Sequence, residues 1–233
     1  MNWLESNYLY LGLMVFSLSY PLAQSFEWRL KLYAQWRSIF KGIIVMSVIF
    51  IPWDVWFTYK GVWWFSDQYI LGIKVFHLPL EEWLFFLIVP YACVFIYEVL
   101  NYYIKRDYLK KIAPPFFLVL GVLLISYSCV YYSNLYTSIT FSLTGLASLL
   151  LVWKRPHWMG RFLFAYLISW LPFLLINGAL TGNFTKYPVV NYNATEIIGF
   201  RLTTIPIEDS MYNLLMLLIV VSVYEKNKEM KPL

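Results

Sequence analysis

Charge is scarce in this chain: Asp, Glu, Lys and Arg make up 13% of its 233 residues, against about a quarter in a soluble domain. Too few charged groups remain to cover a water-soluble body of this size, which argues against a soluble enzyme and a disordered chain. The pI near 9.0 does not point to nucleic acid, because the basic residues lie in loops between apolar runs. Cysteine is nearly absent. Cys93 and Cys129 both sit inside apolar runs, in no metal or disulfide spacing, and read as small buried hydrophobes. Also missing are a Gly-x-Gly-x-x-Gly turn after a strand, a P-loop, a His-Glu-x-x-His helix and an Asp-rich diphosphate cluster, so no flavin or nicotinamide fold is expected. The last apolar run holds no lysine between Ile207 and Tyr224, which removes the Schiff-base site that a seven-helix retinal protein needs.

What is there is apolar. Hydrophobic residues make up 61% of the chain and aromatics 21%, and the mean hydropathy is +0.61. Seven runs approach the ~20 apolar residues that a membrane helix requires: about 3–23, 39–58, 79–101, 114–132, 135–153, 161–180 and 206–224. The first lacks a basic leader and a small-residue cleavage site and reads as a span, not a removable signal. All basic residues except Lys60, Lys74, Lys186 and Arg201 fall on one side of the alternation. The positive-inside rule then puts the N-terminus outside and the C-terminus in the cytoplasm, which requires an odd number of spans. An inner or plasma membrane is the expected location.

The chain also repeats itself. Ile70-Leu71-Gly72-Ile73-Lys74 through Leu78-Pro79-Leu80-Glu81-Glu82 reappears 127 residues later as Ile197-Ile198-Gly199-Phe200-Arg201 through Ile205-Pro206-Ile207-Glu208-Asp209. The register holds to the far end of the span, where Tyr97-Glu98 matches Tyr224-Glu225. A weaker match relates Pro52-x-Asp54-x-x-x-Thr58 to Pro172…Asn177-x-x-x-Thr181. The expected fold is therefore all-α, a polytopic membrane protein of seven transmembrane helices. Two parallel three-helix repeats, 1–112 and 134–233, flank a linking span at 113–133 within one integral membrane domain. Repeats of equal orientation are related by an axis along the membrane normal.

Each repeat carries an acidic pair at the head of a span. One such pair reads as a helix start, since Pro suits the first turn and acids favour the positive end of the helix dipole. Two copies in so poorly charged a chain point to function, because intramembrane acids are costly. Successive helical residues point about 100° apart, so Glu81 and Glu82 cannot both face one spot; one reaches a cavity while the other takes Lys74 or a headgroup. Asp54, within the second span, is a third candidate, with Asn177 as its neutral counterpart. His77, Glu98 and Glu225 read as interface residues.

The duplicated Pro-x-Glu-[Glu/Asp] motif resembles that of the lycopene cyclase domain of carotenoid biosynthesis. So does Asp54-x-x-x-Thr58…Gly61-x-Trp63-x-Phe65 followed by Ile70-x-Gly72. The resemblance covers most of the chain and is strongest at 52–98 and 172–225, and it looks like the form in which two small membrane halves are fused. It implies a cyclase of the intramolecular lyase or isomerase class, without cofactor or net redox change. Lycopene would become monocyclic and then bicyclic carotene with β-ionone rings. Such a reaction needs an acid to protonate a terminal alkene, a dry aromatic cavity for the cation and a base to take a proton from the ring. Glu81 and Glu208, identical in both copies, are the first acid/base candidates, followed by Glu82, Asp209 and Asp54. Trp83, Phe85, Phe86, Tyr212, Asn213 and Asn177 are the expected substrate contacts. The second half departs at Asp209 and at Ser210-Met211-Tyr212-Asn213, which replace Glu82 and Trp83-Leu84-Phe85-Phe86. The implied partners are lycopene, monocyclic carotene and membrane lipid, with no nucleic acid and no metal; a homo-oligomer is left open. The rival readings are a small seven-helix transporter coupled to protons or cations, and a receptor-like assembly protein that would give the repeated acids no task.

Overall fold

A computed structural model describes residues 3–228; the basic Lys231, counted above with the positive side, lies outside them. The described residues form seven α-helices: α1 (Leu9–Gln24), α2 (Trp36–Lys60), α3 (Leu80–Tyr103), α4 (Ala113–Val130), α5 (Leu135–Lys154), α6 (Met159–Leu180) and α7 (Ile207–Asn227). The helices α2 to α7 are long and apolar enough to cross a membrane. The first differs from the expected span at 3–23, because α1 has 16 residues, roughly 24 Å at the helical rise. Residues 3–5 form a separate 3-10 turn. The cause is Glu5, whose carboxylate accepts hydrogen bonds from Tyr69 Oη at 2.8 Å and from the Lys186 backbone N–H at 2.9 Å. These contacts tie the N-terminal turn to the loops before α3 and after α6 instead of continuing the helix.

Those loops hold six short strands that hydropathy does not reveal: β1 (Trp63–Phe65), β2 (Lys74–Val75), β3 (Leu78–Pro79), β4 (Val190–Tyr192), β5 (Arg201–Leu202) and β6 (Ile205–Pro206). β2 and β3 form a hairpin directly before α3, and β5 and β6 form one directly before α7. Phe76 and His77 turn the first with φ of 52° and 69°, a left-handed conformation usually given to Gly or Asn.

The ribbon of β1 and β4 joins the two repeats. Trp63 faces Tyr192, Trp64 faces Asn191 and Phe65 faces Val190. Trp64 and Asn191 are equivalent at the 127-residue offset, so they pair with each other. That is the register a two-fold axis through this pair produces. The helices follow the same symmetry: α1 packs on α3 as α5 packs on α7, and α2 packs on α7 as α6 packs on α3. The fourth helix has no counterpart. It lies on α5, where Gly121 and Gly145 let the backbones approach; a Cβ on Gly145 would come within 3.0 Å of the Gly121 carbonyl oxygen. At the end opposite the ribbon, Tyr97 Oη donates to Glu225 at 2.8 Å, and Lys228 Nζ bridges Glu98 at 2.9 Å and Glu225 at 3.2 Å. The matched Tyr-Glu pairs thus fasten α3 to α7.

Candidate active site

The two acids in each helix head take separate directions, as the 100° step requires. Glu81 and Glu208 turn back toward their own loops. Glu81 Oε1 accepts the Leu71 backbone N–H at 2.7 Å, and Glu208 Oε1 accepts the equivalent Ile198 N–H at 2.8 Å. Glu208 also accepts Thr137 Oγ1 at 2.6 Å. Thr137 corresponds to Leu11, so Glu81 gains no such donor. Both glutamates are fully buried, and neither lines the cavity that their neighbours face.

Glu82 and Asp209 face the other way and line one cavity of about 370 Å³ together with Asp54. Tyr10 Oη donates to Glu82 at 2.5 Å. Its repeat equivalent Tyr136 donates to Asp209 at 2.7 Å. Two further donors reach Asp209: Tyr192 Oη at 2.7 Å and Asn177 Nδ2 at 2.8 Å. Asp54 Oδ1 accepts Trp63 Nε1 at 2.7 Å. The site thus draws its acids from both halves, with Asp54 and Asn177 filling equivalent positions unequally. Tyr192 lies on β4, outside the spans. Burial first, and then the charge of Asp209 and the hydrogen bond to it, push its phenol well above the ordinary value, so it remains a donor.

The ribbon closes one end of the cavity with Trp63, Phe65, Val190 and Tyr192. From there the walls descend between α1, α3 and α6. On α3 they run from Glu82 to Ile96, roughly 21 Å at the helical rise. Aromatic rings crowd the acids: Trp63 and Tyr136 have ring centroids 5.0 Å apart, and Tyr136 stacks on Tyr192 at 6.0 Å.

Of the expected substrate contacts, Phe85, Tyr212, Asn213 and Asn177 line this cavity; Trp83 and Phe86 do not. Trp83 instead donates to the Val75 carbonyl at 3.3 Å, and Phe86 packs on Phe50 in the core. Lys74 does not take either glutamate but pairs with Asp67 at 2.8 Å. Tyr10, Tyr136 and Tyr192 hydrogen-bond the cavity acids without standing in any of the motifs above, and Trp63, which stands in one, bonds Asp54 without being among the expected contacts. The signal for two of them was present: Leu9-Tyr10 recurs as Leu135-Tyr136 at an offset of 126, one residue off the register of the acidic motifs. Among the described residues no group of three or more His, Cys, Asp and Glu side chains is arranged to hold a metal ion.

A family model described as lycopene cyclase matches residues 7–100 and 133–226, the two repeats and not the helix between them. Among curated proteins, a bifunctional lycopene cyclase/phytoene synthase of Leptosphaeria maculans is 34% identical over 59 residues, 25% of this chain and 10% of that protein. One of Aspergillus oryzae with the same description is 29% identical over 66 residues, 28% of this chain and 11% of that protein. The matched stretch therefore spans about a tenth of these relatives' length. No solved structure matches the chain. With both repeats covered by one family model, this helical membrane protein belongs to the lycopene cyclase family.

Proposed function

We propose that this chain cyclises the linear ends of lycopene by acid/base chemistry, giving monocyclic and then bicyclic carotene with β-ionone rings. The observation that carries the reading is the meeting of Glu82 and Asp209, one acid from each repeat, on the wall of a single apolar cavity. Glu82 accepts one hydrogen bond, from Tyr10, and is assigned the proton donor. Asp209 accepts three; an ionised carboxylate is an acceptor only, and this donor set suits it as the base. Glu82 gives a proton to the terminal alkene, and the cation formed is attacked by the next double bond to close a six-membered ring. Asp209 takes a proton from the ring, which restores a double bond. One proton enters and one leaves, so no electrons are exchanged and no redox cofactor is called for. Tyr136, Tyr192, Tyr212, Trp63 and Phe85 surround the acids, and their faces stabilise the cation by on the order of 0.5–2 kcal/mol each. The ribbon keeps water from trapping the cation as an alcohol.

Both acids reside in this chain, so it acts without a partner subunit. Expression of this gene alone in lycopene-accumulating cells yields cyclic carotene; unchanged lycopene, with the protein present in the membrane fraction, overturns the reading. The basic residues that follow α1, α3 and α5 support an N-terminus outside and a C-terminus in the cytoplasm. A reporter fused after α7 is active in the cytoplasm under this orientation, and a signal from the other side reverses it.

A further inference from the structure

A two-fold repeat should present two equivalent cavities, one between α1 and α6 and one between α5 and α2. Among the described residues the first is open, and substitutions between the halves account for the difference. The correspondence of Asp54 with Asn177 equates Trp53 with Ile176 and Phe57 with Leu180, and the ribbon equates Trp63 with Val190. Ile176, Leu180 and Val190 line the open cavity. Trp53 and Phe57 fill the equivalent space with buried rings, backed by Trp63, which also borders the open cavity at its ribbon end. Trp53 meets Tyr212 at a centroid distance of 5.1 Å, and Phe57 meets Trp63 at 4.9 Å.

The flanking helices differ in the same sense. In α5, Thr137, Thr140, Thr144 and Ser148 are fully buried, and α4 covers that helix from behind. In α1, Phe16 and Tyr20 line the cavity yet are 62% and 65% exposed, and Leu175 across from them on α6 is 50% exposed. Side chains that belong to the wall and to the apolar outer surface at once mark an opening toward lipid. The acids sit at the opposite, ribbon-closed end.

We infer that the gap between α1 and α6 is the single portal through which a linear apolar polyene enters end-first from the bilayer. The equivalent α5–α2 face is a filled cavity that takes no substrate. This rests on the cyclase reading above and adds to it that the two ends of one molecule react in separate visits, the monocyclic product leaving before its second end can enter.

Restoring the first half's ring to the second tests the portal. Ile176→Trp, and Leu175→Trp at the more exposed mouth, should lower formation of every cyclic product by on the order of 100-fold. Neither variant should retain carotenoid pigment through gel filtration in detergent. Leu167→Trp, 48% exposed on α6 and off the cavity wall, should match the parent protein in both readouts. Either portal variant that elutes as a folded species and still makes one ring at the parent rate, or still carries pigment, overturns the single portal. In proteoliposomes given isotope-labelled lycopene and then excess unlabelled lycopene, the label should halt at the monocyclic stage; label that proceeds to the bicyclic product overturns separate visits. Parent protein that holds pigment lost in the portal variants, yet forms no ring, supports the portal and sinks the cyclase reading alone.

Discussion

Glu82→Gln abolishes ring formation at both ends of the substrate while the protein still folds and inserts. Gln keeps the length of Glu and offers a carbonyl oxygen to Tyr10, whose hydroxyl lies 2.5 Å from the carboxylate, but it has no proton to give to an alkene. General acid catalysis contributes roughly 10²–10⁴-fold, so cyclic carotene should fall by at least that factor. Asp209→Asn should fall as far. There the side-chain amide also sets its N–H groups either against Tyr136, the donor to Oδ1, or against Tyr192 and Asn177, the donors to Oδ2, which adds a stability cost. Because the two acids share one cavity, each single variant stops both ring closures and leaves lycopene, not a monocyclic product, as the accumulating pigment. Chromatography of the carotenoids, with membrane-fraction protein held equal, reads the outcome. A normal bicyclic product from Glu82→Gln removes Glu82 as the acid and turns attention to Asp54.

The contrast between Glu82 and Glu81 shows what the amino-acid sequence displays and what it hides. Hydropathy marks the six long helices closely: the run at 135–153 becomes Leu135–Lys154, and the run at 79–101 becomes Leu80–Tyr103. The two-fold repeat is legible because both halves need the same loop-to-helix joint. That shared need also explains why Glu81 and Glu208 are identical: each holds the backbone N–H of an equivalent loop residue, Leu71 or Ile198. Identity between repeats here follows a common structural task. The cavity acids differ, Glu82 against Asp209 and Asp54 against Asn177, and the site they form is itself unsymmetrical. Tyr10 stands 72 residues from Glu82 and Tyr136 stands 73 from Asp209; only the packing of α1 on α3 and of α5 on α7 brings them together. The strands escape notice because the longest has three residues and the β2–β3 turn uses Phe76 and His77 instead of the usual turn formers.

Glu208 separates a structural acid from a chemical one through two substitutions with opposite outcomes. Glu208→Gln keeps an oxygen at the position where Oε1 receives both Ile198 N–H and Thr137 Oγ1. The other oxygen, Oε2, meets no donor among the described residues, so the new amide group displaces no bond, and its own buried N–H groups lower stability without touching the cavity acids. Ring formation should persist within a few-fold of the parent. Glu208→Leu fits the space but leaves the Ile198 N–H and the Thr137 hydroxyl without their acceptor in a fully buried site. An orphaned buried donor costs about 1–3 kcal/mol, and two are orphaned here, so the melting temperature in detergent should drop markedly and the yield in the membrane should fall. The equivalent Glu81→Leu releases one donor, the Leu71 N–H, because Leu11 stands where Thr137 does in the second half; its melting temperature should fall by less. Thr137→Val should lower stability in the parent but add little on top of Glu208→Leu, since contacting residues that share one interaction are not additive. Loss of all cyclic product in a stable Glu208→Gln protein would instead place Glu208 in the chemistry, with Thr137 as the group that orients it.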